Sequence, residues 1–407
     1  MKRDRQLEVR ERIRKAVAAP WPYFDEEQVS AVSAVLRSGK VNYWTGEEAR
    51  AFEREYAVYL GRKHAIAVAN GTLALELALE AFGIGQGAEV IVPARTYVAS
   101  ASCAVMRGAV PVVADVDRDS QVLTVETIAA VMTPRTRAII VVHLAGWPCQ
   151  MDAIMAYAQT RELVVIEDCA QAHGAFYQGR PVGSFGHAAG FSFCQDKIIT
   201  TGGEGGLLTL DDDDAWARAW AYKDIGRSHD AVYNRQHSLG FRWLTESFGT
   251  NWRMTEMQAV LGRIQLARLP AWQTQRKANA ESLASAFARL PGLRVQLPQA
   301  DIEHAWYKFY AFVVPDALAS GWNRDRVMVE IEARGVPCSV GSCSEIYREK
   351  AFVDRGWGPD EALPVARELG ETSLCFLVHP TLDHLAMAAV VEVVSEVMEF
   401  ATAQRAN

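Results

Sequence analysis

Leu163-Val164-Val165-Ile166-Glu167 runs apolar into Asp168-Cys169-Ala170-Gln171; further on, Phe191-Ser192-Phe193 leads into Cys194-Gln195-Asp196-Lys197 and Thr200-Thr201-Gly202-Gly203-Glu204-Gly205-Gly206. A short, unbroken run rich in Val and Ile reads as a strand buried on both faces, the kind found in parallel sheets. In an open α/β sheet, ligands collect outside the carboxyl ends of the strands. Asp168 leaves a buried strand, so it needs a cation or hydrogen-bond donors, or else it stays protonated. Read in isolation, it equally suits a cap for the next segment. Lys197, just past an apolar strand, reads either as a desolvated amine of lowered pKa or as an ordinary surface lysine. Four glycines within 202–206 permit a tight return of the chain beside that lysine, although the run lacks the P-loop pattern.

Working outward, the same texture extends in both directions. Strands are expected at His64–Ala69, Glu89–Val92, Pro111–Ala114, Ala138–His143, Leu163–Glu167, Ala188–Phe193 and Gly206–Leu210. Between them lie helical patterns at Leu73–Phe82, Val98–Met106, Val125–Met132 and Met151–Gln159. Such alternation predicts a mostly parallel sheet clothed in helices, with right-handed crossovers. Upstream, Asp25 and Gln28 form a capping box for a helix that Gly39 stops, and a second helix, Ala49–Tyr59, ends at Gly61. Asp211–Asp214 reads as a solvated turn. Beyond Met254 the spacing predicts two helices, Thr255–Leu266 and Ala271–Leu290. Strand and helix then alternate again through Lys308–Val313, Arg324–Ala333, Val336–Val340 and a C-terminal helix from about Leu385 to Thr402. The organisation expected is an arm over 1–24, a large domain over 25–265 and a small one over 266–407.

The composition agrees with a globular enzyme-sized chain. Its 407 residues are half hydrophobic and 22% charged, which excludes a disordered or fibrous class. The formal charge of −7 argues against coating nucleic acid by bulk electrostatics. The apolar runs fall short of the roughly 20 residues that cross a bilayer. Seven cysteines without a CxxC pair suit a reducing cytoplasm and give neither a disulfide framework nor a metal site. Met1–Pro20 carries acids and no apolar core, so it reads as a sparse amphipathic helix, with Leu7, Ile13 and Val17 on one side, rather than a targeting signal.

Asn70-Gly71-Thr72 precedes the helix that begins at Leu73, where free amides and a glycine favour a phosphate or carboxylate. A phosphate cradle, a strand-end aspartate, a serine and a lysine together make the parts of a pyridoxal phosphate (PLP) site. From about Tyr23 to Glu399 the chain resembles the DegT/DnrJ/EryC1/StrS group of PLP-dependent sugar aminotransferases. Asp168-x-x-Gln171, Ser192-x4-Lys197 and Gly203-Glu204-Gly205-Gly206 follow in the group's order. The resemblance implies fold type I: a large domain with a seven-stranded, mostly parallel sheet, and a smaller C-terminal α/β domain. It further implies that Lys197 links to the cofactor and shuttles protons, that Asp168 keeps the ring nitrogen protonated, and that Gln171 bonds the ring hydroxyl. Gly71, Thr72 and Ser192 would bind the phosphate, and Tyr97 would stack on the ring. Asn251 would reach the phosphate of a neighbouring subunit, which implies a homodimer with shared active sites. His304 and Tyr307 match a stretch near the substrate, though Trp and Tyr there also suit simple packing.

The activity so implied moves an amino group from L-glutamate or L-glutamine to a keto sugar, expected from the resemblance to be nucleotide-linked, as in surface-polysaccharide or antibiotic sugar synthesis. The chain departs from the group at Cys194-Gln195-Asp196, at Gly341–Tyr347 and in a long segment, Arg227–Gly249. These departures leave a keto-cyclitol acceptor open. A sugar dehydratase would replace the lysine, and a purely regulatory protein would have no use for one. The site needs no metal, and neither nucleic acid nor a membrane is expected as a partner.

Overall fold

The computed structural model describes residues 11 and 13–403. Leu7 of the expected N-terminal helix lies outside these residues; within them a helical stretch covers 13–17 and buries Ile13. Helix α1 (Glu26–Ser38) starts with the Asp25–Gln28 capping box and stops where Gly39 turns left-handed. Helix α2 (Glu48–Leu60) ends in the same way at Gly61.

Seven strands then build the main sheet, with helices between them: β1 (His64–Val68), α3 (Gly71–Ala81), β2 (Glu89–Pro93), α4 (Ala99–Met106), β3 (Val110–Ala114), α5 (Val125–Ala129), β4 (Thr136–Val142), α6 (Met151–Gln159) and β5 (Val164–Asp168). A small hairpin, β6 (Phe176–Tyr177) and β7 (Arg180–Pro181), precedes β8 (Ala188–Ser192) and β9 (Gly206–Leu210). The spatial order is β1-β9-β8-β5-β4-β2-β3, and every neighbouring pair is parallel except the two made by β9. The strands β2, β8 and β9 are buried throughout, which is why they read as largely apolar runs.

Asp211–Asp214 is not a free turn. Asp212 caps α7 (Asp213–Lys223), Asp211 binds Arg62, and Asp213 pairs with Lys63 and His64. The run is acidic because a helix N-terminus and three basic groups meet there. A short helix, α8 (His229–Tyr233), lies in the long segment after it.

The two helices expected after Met254 are one: α9 spans Glu256–Phe287 and passes straight through Pro270. Proline removes one hydrogen bond from a helix interior. Packing on both sides outweighs that loss here. Ala259 and Leu269 join the core around the main sheet, whereas Ala280, Leu283, Ala284 and Phe287 join a second core. The boundary expected near residue 265 therefore falls within a continuous helix.

The second core surrounds an antiparallel sheet of order β10-β12-β14-β13. Its strands are β10 (Leu293–Arg294), β12 (Phe309–Val313), β13 (Cys338–Ser339) and β14 (Ser373–Phe376); β11 (Ile302–Glu303) instead extends the β6–β7 hairpin. Helices α10 (Arg324–Ala333), α11 (Pro364–Thr372) and α12 (His384–Thr402) complete this part. Among the described residues, no helix is long and apolar enough to cross a membrane.

Candidate active site

Because β1, β5 and β8 run parallel, their carboxyl ends deliver Asn70, Asp168 and Ser192 to one edge, where β9 begins at Gly206. Asn70 caps α3 by accepting from the Leu73 amide at 3.0 Å, which leaves the Gly71 and Thr72 amides without helical partners. A Cβ on Gly71 would stand 2.6 Å from Ser192 Cβ, and one on Gly206 would overlap the Asn70 carbonyl. Glycine at both positions is what brings the helix N-terminus onto the strand ends. Below them His173 fixes Ser192: its Nε2 donates to the Ser192 carbonyl at 2.8 Å, while its Nδ1 accepts from Tyr56 at 2.7 Å. Both contacts suit the neutral ring, and burial pushes its pKa down to about 3.

Asp168 is 6% exposed. Ser100 Oγ donates to one of its oxygens at 2.7 Å and the Ala170 amide to the other at 3.1 Å. Burial raises its pKa, against the pull of those donors and of the Lys197 charge. Among the described residues it has no ion-pair partner, so this carboxylate is placed to receive a cation.

Lys197 sits in the loop from β8 to β9, with Nζ 5.0 Å from the centre of the Tyr307 ring. Trp21 Nε1 donates to its carbonyl at 2.9 Å. Tyr307 in turn donates its hydroxyl to Asp196, and Lys308 Nζ lies 3.7 Å from the same carboxylate. Burial would raise Asp196, but Tyr307, Lys197 and Lys308 outweigh it and hold the acid below its usual range.

Gln171 accepts from the Ala145 amide at 2.7 Å, leaving its Nε2 available. Ala145 and Trp306 both adopt left-handed backbone, unusual for residues with a Cβ. Their loops are stitched together by Ala305 N to Gly146 O and Tyr307 N to Ala145 O, both at 2.9 Å. Local strain of this kind persists only where surrounding contacts enforce it, and here Ala145 joins the two residues, its carbonyl accepting from the Tyr307 amide and its amide donating to Gln171.

The remaining expected residues are arranged less directly. His304 stacks on Trp306 at 4.0 Å, accepts from the Trp306 amide at 2.7 Å and presents an edge to Trp147. Burial brings its pKa to about 3, so the ring is a neutral packing group. Tyr97 is 68% exposed, but its carbonyl accepts from the Ser100 amide, so it stands at the start of the turn that carries the partner of Asp168. Asn251 is exposed and bridges to Asp224, while its neighbour Arg253 bridges to Val68 at the end of β1. Sequence reasoning missed Ser100, Trp21 and the Tyr307–Asp196 contact. Nothing in their spacing announces them, since each partner is distant along the chain.

His143, Glu167 and Cys169 place possible ligand atoms within 4.8 Å of one another beneath the site. Glu167 already accepts from His143 Nε2, and from the amides of Gly183, Phe185 and Gly186. His143 Nδ1 accepts from the Cys149 amide. These lone pairs are in use, so the trio is hydrogen-bonded core. A cleft of about 300 Å3 lined by Tyr43, Arg50, His64 and Trp216 lies toward the opposite end of β1. Its Lys63 and His64 are already paired with Asp213.

The profile of the DegT/DnrJ/EryC1/StrS aminotransferase family matches residues 22–395. An aminotransferase from Psychrobacter cryohalolentis shares 55% identity and superposes with a TM-score of 0.91, covering 93% of this chain and 98% of that one. The dTDP-3-amino-3,4,6-trideoxy-α-D-glucose transaminase of Streptomyces venezuelae is 34% identical over 91% of this chain and 92% of its own length. Spr1654 from Streptococcus pneumoniae, solved in a PLP form, is 25% identical with a TM-score of 0.82, over 93% of this chain and 97% of that one.

Proposed function

The chain belongs to the DegT/DnrJ/EryC1/StrS aminotransferase family and is a PLP-dependent aminotransferase; from that premise we propose that it carries an amino group from L-glutamate or L-glutamine to a nucleotide-linked keto sugar. The observation that carries the site assignment is the buried Asp168 carboxylate, which has no ion-pair partner among the described residues and lies near the α3 N-terminus and Lys197. A protonated pyridine nitrogen is the cation such a carboxylate suits, and the free amides of Gly71 and Thr72 with Ser192 suit a phosphate. The residues therefore fit the cofactor.

When bound, PLP supplies an electron sink for the bonds at the amine-bearing carbon. The protein's part is to hold and move protons around it. Asp168, oriented by Ser100 and the Ala170 amide, would keep the ring nitrogen protonated. The free Nε2 of Gln171 would reach the ring hydroxyl, and Tyr97 would cover a ring face. Lys197 would hold the cofactor between turnovers and carry the proton from one carbon to the other as general base and acid. Tyr307 and Asp196, joined by their hydrogen bond, would steer the lysine, with His304 packing the Tyr307 loop.

We propose a homodimer in which Asn251 reaches the partner's phosphate site. Its support is the segment that leads to Asn251, in which Leu239, Phe241, Trp243 and Phe248 stand exposed in the single chain. Action in the cytoplasm is supported by seven free cysteines. The acceptor's chemistry is supported by the sugar nucleotide named for the Streptomyces relative.

The test is an absorption spectrum of the purified protein, followed by titration with L-glutamate. The expected result is a visible band of lysine-linked cofactor that converts to the amine form, and that dTDP- or GDP-linked keto sugars restore. Restoration by inososes instead would move the acceptor to the cyclitols. A band indifferent to both glutamate and glutamine would overturn the donor assignment and point to another donor, or to sugar chemistry that transfers no amine.

A further inference from the structure

Arg276, on α9, is 1% exposed. Its Nη1 donates to the carbonyls of Trp306 and Tyr307, at 3.2 and 3.4 Å. Its Nε and Nη2 are buried and have no partner among the described residues. These two nitrogens form one edge of the guanidinium, with parallel N–H donors spaced for the two oxygens of a carboxylate. Leaving such an edge buried and unused is costly, because a charged donor has lost water and gained nothing in exchange.

The surroundings make the same point through charge. Tyr307 is shared by three cations: Lys197 and Lys308 lie 5.0 and 4.8 Å from its ring centre, and Arg276 binds its carbonyl. Trp21 is shared as well, with Nε1 on the Lys197 carbonyl and its ring 5.0 Å from the Arg276 guanidinium. Among the described residues, the carboxylate paired with them is Asp196, already engaged by Tyr307 and Lys308, while Asp168 feels the Lys197 charge from farther off. Burial lowers Arg276 to about 9 and lowers Lys308 as well. His379, stacked on Trp21, is held neutral near 3 by burial and by these same cations, so it brings no further charge. The cluster thus holds more positive charge than its own acid balances, and an arriving anion would relieve it.

We propose that the free edge of Arg276 receives the α-carboxylate of the amino donor, with Lys308 reinforcing the field, so that the site selects α-amino acids over simple amines. This rests on the aminotransferase reading above and adds the donor's anchor to it. Arg is the suitable residue because its planar fork matches a carboxylate at two points, which lysine cannot do.

The test uses the PLP-loaded enzyme and follows loss of the visible band in the first half-reaction. Wild type is compared on L-glutamate and on its α-amide, isoglutamine, in which that carboxylate is neutral. Wild type should bind the amide about 10- to 100-fold more weakly. Arg276→Gln should weaken L-glutamate by a similar factor and discriminate the two donors less than about threefold, while its affinity for PLP stays within about twofold of wild type. Arg276→Lys, which keeps a cation near the Tyr307 carbonyl, should fall between them. If wild type takes both donors alike, or either variant retains full discrimination, the proposal is overturned. Loss of PLP affinity with donor discrimination intact would reassign the edge to the cofactor phosphate and overturn it too. A wild-type band that ignores every α-amino acid would instead bring down the aminotransferase reading itself, and this one with it.

Discussion

Two buried clusters of charge flank the ends of β5 and β8, and they are built in opposite ways. Around Glu167 every group has a use within the fold. The carboxylate accepts from His143 at 3.0 Å and from the amides of Gly183, Phe185 and Gly186 at 2.7–2.8 Å. Nearby Arg62 gives its donors to the carbonyls of Gly183 and Gly186 and to Asp211. Around Lys197, by contrast, two Arg276 donors have no partner and cations outnumber acids among the described residues. Buried charge that satisfies itself holds a structure together. Buried charge left unsatisfied is held ready for something the chain does not itself contain.

The contrast breaks most visibly at Lys197. Lys197→Ala should cut turnover about 10³-fold or more, since both the attachment point and the proton carrier go. Its melting temperature should shift by no more than a few degrees, because this amine supports little packing. Steady-state rates and a thermal melt on one preparation check both; near-normal turnover would remove Lys197 from the mechanism. Glu167→Gln should do the reverse. It should cost about 3 kcal/mol of stability, from a carboxylate withdrawn from Arg62, His143 and three amides, with kcat per folded molecule close to wild type. Urea unfolding measures this, and an unchanged midpoint would show that the cage tolerates a neutral amide.

The smallest expected effect sharpens the comparison through pH. His173 is held neutral, its pKa lowered from 6.5 to about 3, chiefly by burial. Between those values the unfolded chain binds the extra proton, so stability is complete above about pH 6.5 and is lost as pH falls toward 3. At pH 5.5 the His173 contribution to that loss is about 1 kcal/mol. Unfolding free energies of wild type and His173→Gln, compared at pH 7.5 and 5.5, should show the shallower loss in the variant. Equal losses would mean that the ring is protonated in the folded state.

Much of this architecture is legible in the chain because buried parallel strands leave unbroken runs such as Val164–Ile166. A polar residue directly after such a run, as at Asp168 or Ser192, declares its position at the sheet's edge. Short elements escape this reading. Ser373–Phe376 is too brief to show a period, and α7 was hidden by Asp211–Asp214, whose charges look solvated until Arg62 and Lys63 are folded against them. Pro270 stands in the gap between the two helices that the spacing predicts, and the packing of Leu269 on one side and Ala280 on the other explains why α9 continues through it. Ser100 and Arg276 are illegible for a different reason. Each acts through a contact with residues far along the chain, and no local pattern encodes such a meeting.

Helix α9 also has a mechanical consequence. It is a single beam running from one core into the other, and its one built-in weak joint is Pro270, where a backbone bond is missing. Arg276 stands less than two turns beyond that joint, while Lys197 hangs from the main sheet on the near side. A flexing of the beam at Pro270 would therefore change the gap between guanidinium and lysine like the opening of a pair of tongs, with the width of the jaw set by the stiffness of one helix.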